Sequence, residues 1–344
     1  MSKEKKTILR NLILLVGSII LSIAFSEMVL RVILPKPVVW KFPQENYIYD
    51  PEIGHWLKPD QHAFTHDKLV ITNSIGIRES EHTLWPTPGT NRILALGDSQ
   101  TFGNGLELSD TWPKQLETEL NQLNNNLQFE VINSGIPGSD TWQHEIILER
   151  MISNYHPDIV ILAFYVNDVV KRFTPNPSIH ESGDEFKYRV IYTIKQSVLL
   201  LTLREAFQTI RQILSPTVAY LRQQALLNGE DGYDIQEAWR QVEESISAMK
   251  MLTDNNNISF MIASLPRRDQ IDGRLSWNAY NNNIQAIAEQ YDIPFASMLE
   301  PLQQAYKIHK RELFIPWDGH NSKIANKFIA QKMSNILGST VQNK

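Results

Sequence analysis

Residues 158–165 (DIVILAFY) form a near-continuous apolar run. A strand carries such a run where both of its faces are buried, as in parallel sheets covered by helices on each side. Around it the pattern alternates. Residues 92–96 (RILAL) and 129–132 read as short apolar strands, and residues 111–123 and 142–155 as helices with apolar positions at helical spacing. Further on, residues 258–265 and 294–297 predict strands, and 277–291 and 322–337 predict helices. From Asn91 onward this order predicts an α/β fold of three layers, α/β/α, around a parallel sheet. Between Val170 and Asn257 the rhythm breaks for longer than a loop in a compact domain allows. There, residues 198–221 read as an inserted helical layer and 235–252 as a crossover helix back onto the sheet. The apolar spacing of the first (SVLLL, then LREAFQTIRQIL) predicts a buried packing face rather than a lipid-facing one.

The N-terminus predicts a membrane segment. Lys3, Lys5, Lys6 and Arg10 precede an apolar run over residues 12–30, interrupted only by small residues and Glu27. That length suffices to cross roughly 30 Å of hydrocarbon. A cleavable signal sequence is the competing reading, since Ala24, Phe25 and Ser26 resemble a cleavage site. Apolar character continuing through Met28, Val29, Leu30, Val32 and Ile33 favours a retained anchor. The basic residues ahead of the helix favour a cytoplasmic tip and an exported C-terminal domain. The division expected is residues 1–34 as tip and single-pass anchor and 35–90 as an irregular, proline-punctuated juxtamembrane stalk with one hairpin packed on the main domain. Residues 91–340 form the main domain, with its helical insert at about 171–256.

Composition removes several function classes. A net charge of −5 argues against a nucleic-acid surface, which needs clustered Lys and Arg. With no cysteine, disulfides, thiolate catalysis and thiolate metal sites are excluded. His62 and His66 have helical spacing, but no third ligand accompanies them, and they read as solvated loop residues rather than metal ligands.

In α/β sheets, sites form at the carboxyl ends of strands. The first strand runs into Gly97-Asp98-Ser99-Gln100-Thr101-Phe102-Gly103, which places a serine at a strand-to-helix junction. Ser99 reads there either as a nucleophile or as a plain helix cap. The lysine of a phosphate-binding loop is absent, and Thr101 fails the G-x-S-x-G elbow. The next strands end in NSGIPGS (133–139) and YVND (165–168). A glycine amide, an Asn side-chain amide and the Ser99 amide at such ends can serve as donors to an oxyanion. Near the C-terminus, His320 could accept the serine proton with Asp318 holding its tautomer; a turn aspartate beside a surface histidine is the plainer reading.

Together these segments resemble, in order, the four blocks of the SGNH/GDSL hydrolase family. GDSQTFG resembles the nucleophile block with Ser99, and NSGIPGS the glycine block with Gly138 as oxyanion donor. YVND resembles the asparagine block with Asn167, and DGHNS the terminal block with Asp318 and His320. The anchor, the NSIGIRE segment at 73–79 and GDSQTFGNGL resemble the family's membrane-anchored bacterial branch. Two positions depart from the pattern. Tyr165 stands where glycine is usual, and only Gly319 separates Asp318 from His320, which leaves open that Asp318 chiefly caps the last helix.

The resemblance implies a flavodoxin-like sheet and two-step ester hydrolysis. Ser99 would attack the carbonyl, His320 would take its proton, and the Ser99, Gly138 and Asn167 donors would hold the oxyanion, with no metal or organic cofactor. Asp98 and Asp168 read as structural, their carboxylates accepting loop amides. Gln100, Trp142, Gln143, Trp317 and Asn321 suit a sugar better than a long acyl tail, so the substrate expected is a short-chain, acetyl-type ester of a carbohydrate. Membrane lipid is expected as a partner through the N-terminal helix. An O-acyltransferase of envelope or extracellular polysaccharide and a non-catalytic envelope component are the alternatives.

Overall fold

The computed structural model describes residues 3–123, 127–176, 185–230, 232–275 and 279–341. In chain order it begins with helix α1 (Lys3–Ile33), followed by strands β1 (Tyr47–Asp50), β2 (Gly54–Leu57), β3 (His62–Thr65) and β4 (Lys68–Ile71). Next come β5 (Thr90–Gly97), α2 (Ser99–Phe102), α3 (Trp112–Leu123), β6 (Gln128–Gly135), α4 (Thr141–Tyr155) and β7 (Ile159–Phe164). Four helices follow: α5 (Glu185–Ile194), α6 (Val198–Leu214), α7 (Val218–Asn228) and α8 (Tyr233–Asn255). The chain closes with β8 (Ser259–Ser264), α9 (Arg268–Ile271), α10 (Ala279–Gln290), β9 (Phe295–Ser297), α11 (Leu299–His309) and α12 (Lys323–Val341).

Five parallel strands make the main sheet in the order β6-β5-β7-β8-β9, the flavodoxin-like order. Along each central strand the side chains alternate between two cores. Leu94, Leu96, Val160, Leu162, Phe164, Phe260 and Ile262 enter one, with residues of α4, α7, α8 and α10. Ile93, Ala95, Ile161, Ala163, Met261 and Ala263 enter the other, with residues of α3, α11 and α12. Burial on both faces is why these strands are written as unbroken apolar runs. The sequence missed α11, and Trp277, where the penultimate predicted helix was to start, lies outside the described residues.

Residues 1–39 and 183–216 form a compact unit of their own, apart from residues 40–182 and 217–344. It contains α1, α5 and α6. Ser215 and Pro216 end α6, so the single helix expected over 198–221 is two. The burial expected for the apolar stripe of α6 is not found. Val198 and Leu201 are buried, whereas Leu200, Leu203, Phe207, Ile210, Ile213 and Leu214 are exposed. The α1 helix is long and apolar enough to cross a membrane, a test that a signal sequence passes as well.

Residues 40–90 are more ordered than an irregular stalk. They hold two antiparallel hairpins, β1–β2 and β3–β4, and their Ile53, Trp56, Leu57, Val70 and Ile77 are buried in the first core. The strand sequences, YIYD, GHWL, HAFT and KLVI, lack the strict apolar–polar alternation that marks a strand. Arg78 is the main polar tie. Buried, it donates to the carbonyls of Phe102, Gly103, Leu69 and Leu106 at 2.6–3.0 Å and lies over the Phe102 ring. Beside it Glu79 accepts from the Asn133 amide at 2.9 Å and pairs with Lys114 at 3.0 Å. The hairpin segment thus holds the carboxyl end of α2 and the second half of β6. Arg78→Ala removes the donor of four carbonyls, and a buried acceptor left unpaired costs about 1–3 kcal/mol. Denaturant unfolding should show a loss of at least about 3 kcal/mol, of which Arg78→Lys, with fewer donors, recovers only part. Unchanged stability in Arg78→Ala would show that the four bonds contribute nothing net.

Candidate active site

Ser99 begins α2 directly at the carboxyl end of β5. The turn depends on Gly97, whose φ is +155°; a Cβ there would lie 2.2 Å from Thr101 Oγ1. Asp98 precedes the helix, and its Oδ1 accepts the Gln100 amide at 2.8 Å. Its Oδ2 accepts from Asn167 Nδ2 at 2.9 Å, joining the ends of β5 and β7. From β6, Asn133 donates to the Thr101 carbonyl at 2.8 Å, and the Ile136 amide donates to Gly97 O at 3.0 Å. Three neighbouring strand ends therefore meet at α2.

Gly138 follows β6 with φ +80°, and His55 Nε2 approaches the carbonyl of the preceding Pro137 at 2.8 Å. Among the described residues no group accepts a hydrogen bond from the Ser99 or Gly138 amide. Asn167 Nδ2 keeps one hydrogen beyond the one given to Asp98. The floor beneath is acidic. Burial pushes the carboxyl of Asp98 up, against the Gln100 and Asn167 bonds that favour its charge. Burial and the nearby Asp98 raise Asp168 well above the usual carboxylate range and Asp140 to about 7. Asp168 accepts the Tyr165 amide at 2.8 Å, so both carboxylates read as structural do bond loop amides.

His320 comes from the loop between α11 and α12. Its carbonyl accepts the Ile315 amide at 2.8 Å, and the Asn321 amide donates to Gln100 Oε1 at 3.2 Å. The residue after the histidine is thereby tied to the residue after the serine. His320 Nε2 stands 2.9 Å from Ser99 Oγ, and its Nδ1 bonds Asp318 Oδ1. A carboxylate only accepts, so Nδ1 carries the proton and Nε2 is left as the acceptor facing Ser99. Burial lowers the basicity of His320, but the bond to Asp318 and the charges of Asp318 and Asp98 outweigh it, and the net shift is upward. Burial also raises Asp318, yet the bonds from His320 and His66 hold its carboxyl far below the usual range.

His66 is the group the sequence reading missed. Expected in a solvated loop, it is 4% exposed and donates from Nε2 to Asp318 Oδ2 at 3.1 Å, with Trp40 packed on its ring. A positive φ of 57° after β3 turns it inward, and no local pattern signals that contact 252 residues away. His62 is exposed. Asp318 does not cap the last helix; Ser322 bonds the Ile324 amide there.

The GDSL-like Lipase/Acylhydrolase family profile matches residues 95–316, well over half of the chain. The chain belongs to this family. A stretch of 86 residues is 29% identical to an arylesterase of Vibrio mimicus, covering 25% of this chain and 42% of that enzyme. Among solved structures, the acetyl xylan esterase AlAXEase is 17% identical with a TM-score of 0.45, over 72% of this chain and 99% of that one. The psychrotrophic esterase EstA from Pseudoalteromonas sp. is 15% identical with a TM-score of 0.44, over 73% and 99%.

The GDSL family profile ends two residues before Asp318, so the histidine loop of this GDSL protein is described by its geometry alone. Tyr165, in place of glycine, is half-buried and packs against both cores. Four of the five residues expected to meet a sugar, Gln100, Trp142, Gln143 and Asn321, are buried. Gln143 is buried and donates to the Ile53 carbonyl, Gln100 holds Asn321, and Trp142 is buried against Phe173. Trp317 alone keeps part of its surface. Among the described residues no group of three or more His, Asp or Glu is placed to hold a metal ion. In a titration followed by NMR, His320 should hold its proton to a pH above the ordinary imidazole value of 6.5, because Asp318 favours the charged ring. Asp318→Asn removes that charge and should move the titration to lower pH. An unmoved midpoint would show that the contact has no electrostatic weight.

Proposed function

We propose that this protein is a serine ester hydrolase in which Ser99 attacks, His320 is the base and Asp318 orients it. The 2.9 Å contact between Ser99 Oγ and the acceptor nitrogen of His320 carries this reading. As Oγ bonds to the carbonyl carbon, its proton passes to His320 Nε2. The carbonyl oxygen becomes an oxyanion, and the Ser99 and Gly138 amides and the second Asn167 hydrogen are the donors assigned to it. Collapse breaks the ester bond, and the proton on Nε2 goes to the departing alkoxide. A water then repeats the sequence on the acyl-serine, with Ser99 leaving. His320 acts as a base only when neutral, so kcat/KM should fall as pH drops through its raised pKa.

The acyl group is proposed to be short, of acetyl size, with Tyr165 in place of glycine two residues before Asn167, and His55 against the Pro137 carbonyl next to Gly138, as the side chains bounding the two oxyanion segments. A carbohydrate alcohol rests on Trp317 alone, beside Asp318. We read α1 as a retained anchor with the hydrolase exported, supported by Lys3, Lys5, Lys6 and Arg10 ahead of its apolar stretch.

Ser99→Ala should abolish labelling by a fluorophosphonate and lower kcat about 10³-fold or more. Undiminished hydrolysis by that variant, or an unreactive Ser99 in the parent, would reject the mechanism and favour a non-catalytic role. Asp318→Asn should lower kcat by orders of magnitude with the fold retained. His66→Phe, acting through Asp318, should lower kcat up to about 10²-fold with KM little changed. Rates on esters of graded chain length should fall steeply beyond the shortest acyl groups; a maximum on long chains would replace the short-chain reading with a lipase. Product analysis with a sugar acceptor present separates hydrolysis from acyl transfer.

A further inference from the structure

Glu27 lies six residues before the end of α1, yet its carboxylate has partners in the insert. It accepts from Ser197 Oγ at 2.8 Å, from the Val198 amide at 3.1 Å and from the Leu199 amide at 2.9 Å. Arg31, one turn on, bonds Glu27 at 2.7 Å and donates to the Gln196 carbonyl at 2.9 Å. Two amides at the start of α6, which no residue of α6 itself can satisfy, are thus closed by the N-terminal helix. Removing the chain before Glu27 as a signal sequence would take away the helix that carries this cap.

The exposed apolar residues of α6 follow a strict helical spacing. Leu200, Leu203, Phe207, Ile210 and Leu214 recur at three and four residues, and Ile213 widens the stripe to an arc of roughly 140°. Phe207 is 65% exposed and Ile213 75%. Arg204 and Arg211, seven apart, stand at one edge of the arc, with Glu205, Gln208, Thr209 and Gln212 behind them. The α1 helix that holds α6 exposes apolar side chains from Leu12 to Phe25, a surface suited to hydrocarbon. With a rise of 1.5 Å per residue, Glu27 lies about 9 Å short of the end of α1. That matches the depth of about 5–10 Å at which amphipathic helices ride in a membrane interface.

We infer that α1 is retained and that α6 lies in the outer membrane interface, its apolar arc in the acyl chains, its arginines reaching the headgroup phosphates, and its start fixed by Glu27. This rests on the anchor reading of α1. It gives the insert a role: a second membrane contact, specific to lipid.

The chain has no cysteine, so single cysteines can be labelled uniquely. Full-length Phe207→Cys, Ile210→Cys, Gln208→Cys and, on α1, Ile19→Cys are labelled with an environment-sensitive fluorophore. They are then reconstituted in vesicles of phosphatidylcholine and phosphatidylglycerol. Labels at 207 and 210 should be quenched by doxyl-lipid and be several-fold less sensitive to aqueous iodide than the label at 208. Equal iodide quenching at all three positions, with position 19 in lipid, overturns the inference and leaves the anchor standing. Shielding of 207 and 210 from both quenchers overturns it too, in favour of a protein partner. Failure of lipid quenching at position 19, or a mature chain beginning near Glu27, removes the anchor reading itself.

Discussion

The carboxylate of Asp98 is the point on which the site turns. It is fully buried, and its two oxygens are bound to groups from different strand ends, the Gln100 amide of α2 and the Asn167 side chain beyond β7. Burial disfavours its charge, so the pair of bonds must offset that cost for the carboxylate to remain. Once it does, the start of α2 and the asparagine are fixed together, and Ser99, which follows Asp98 and begins α2, has its backbone direction set. The parallel register of β5 with β6 and β7 makes this possible by bringing all three carboxyl ends to one edge of the sheet.

The second support comes from the other side of the histidine. Asp318 is held by two imidazoles, and the second, His66, belongs to a hairpin that sequence alone would assign to a stalk. Arg78, from the same region, closes the carboxyl end of α2. Residues 40–90 therefore hold the helix that begins with Ser99 and the aspartate that faces His320. The hydrolase-like region cannot be cut at Asn91 without losing both.

Polar residues near the site show how chemistry and packing compete for one residue type. Gln100, Trp142 and Gln143 look, in a linear sequence, like groups awaiting a polar ligand. In the fold each is buried: Gln100 bonds the histidine loop, Gln143 bonds the Ile53 carbonyl, and Trp142 packs against Phe173. For the two glutamines, the partner that a buried polar group needs is the protein itself.

The sequence by itself determined the sheet and its main strands, because a strand buried on both faces must be apolar throughout, as residues 158–165 are. It also marked the serine, glycine, asparagine and histidine segments as candidates, since each lies at a strand end or in a short loop whose motif is local. Only the tertiary structure decided what depends on contacts across long separations. These are the placing of His66 against Asp318, the Arg78 and Glu79 ties, and the closing of α6 by Glu27. It also decided which face of α6 is covered. Helical spacing of apolar residues says that a face avoids water, but the spacing is the same whether protein or lipid lies against it.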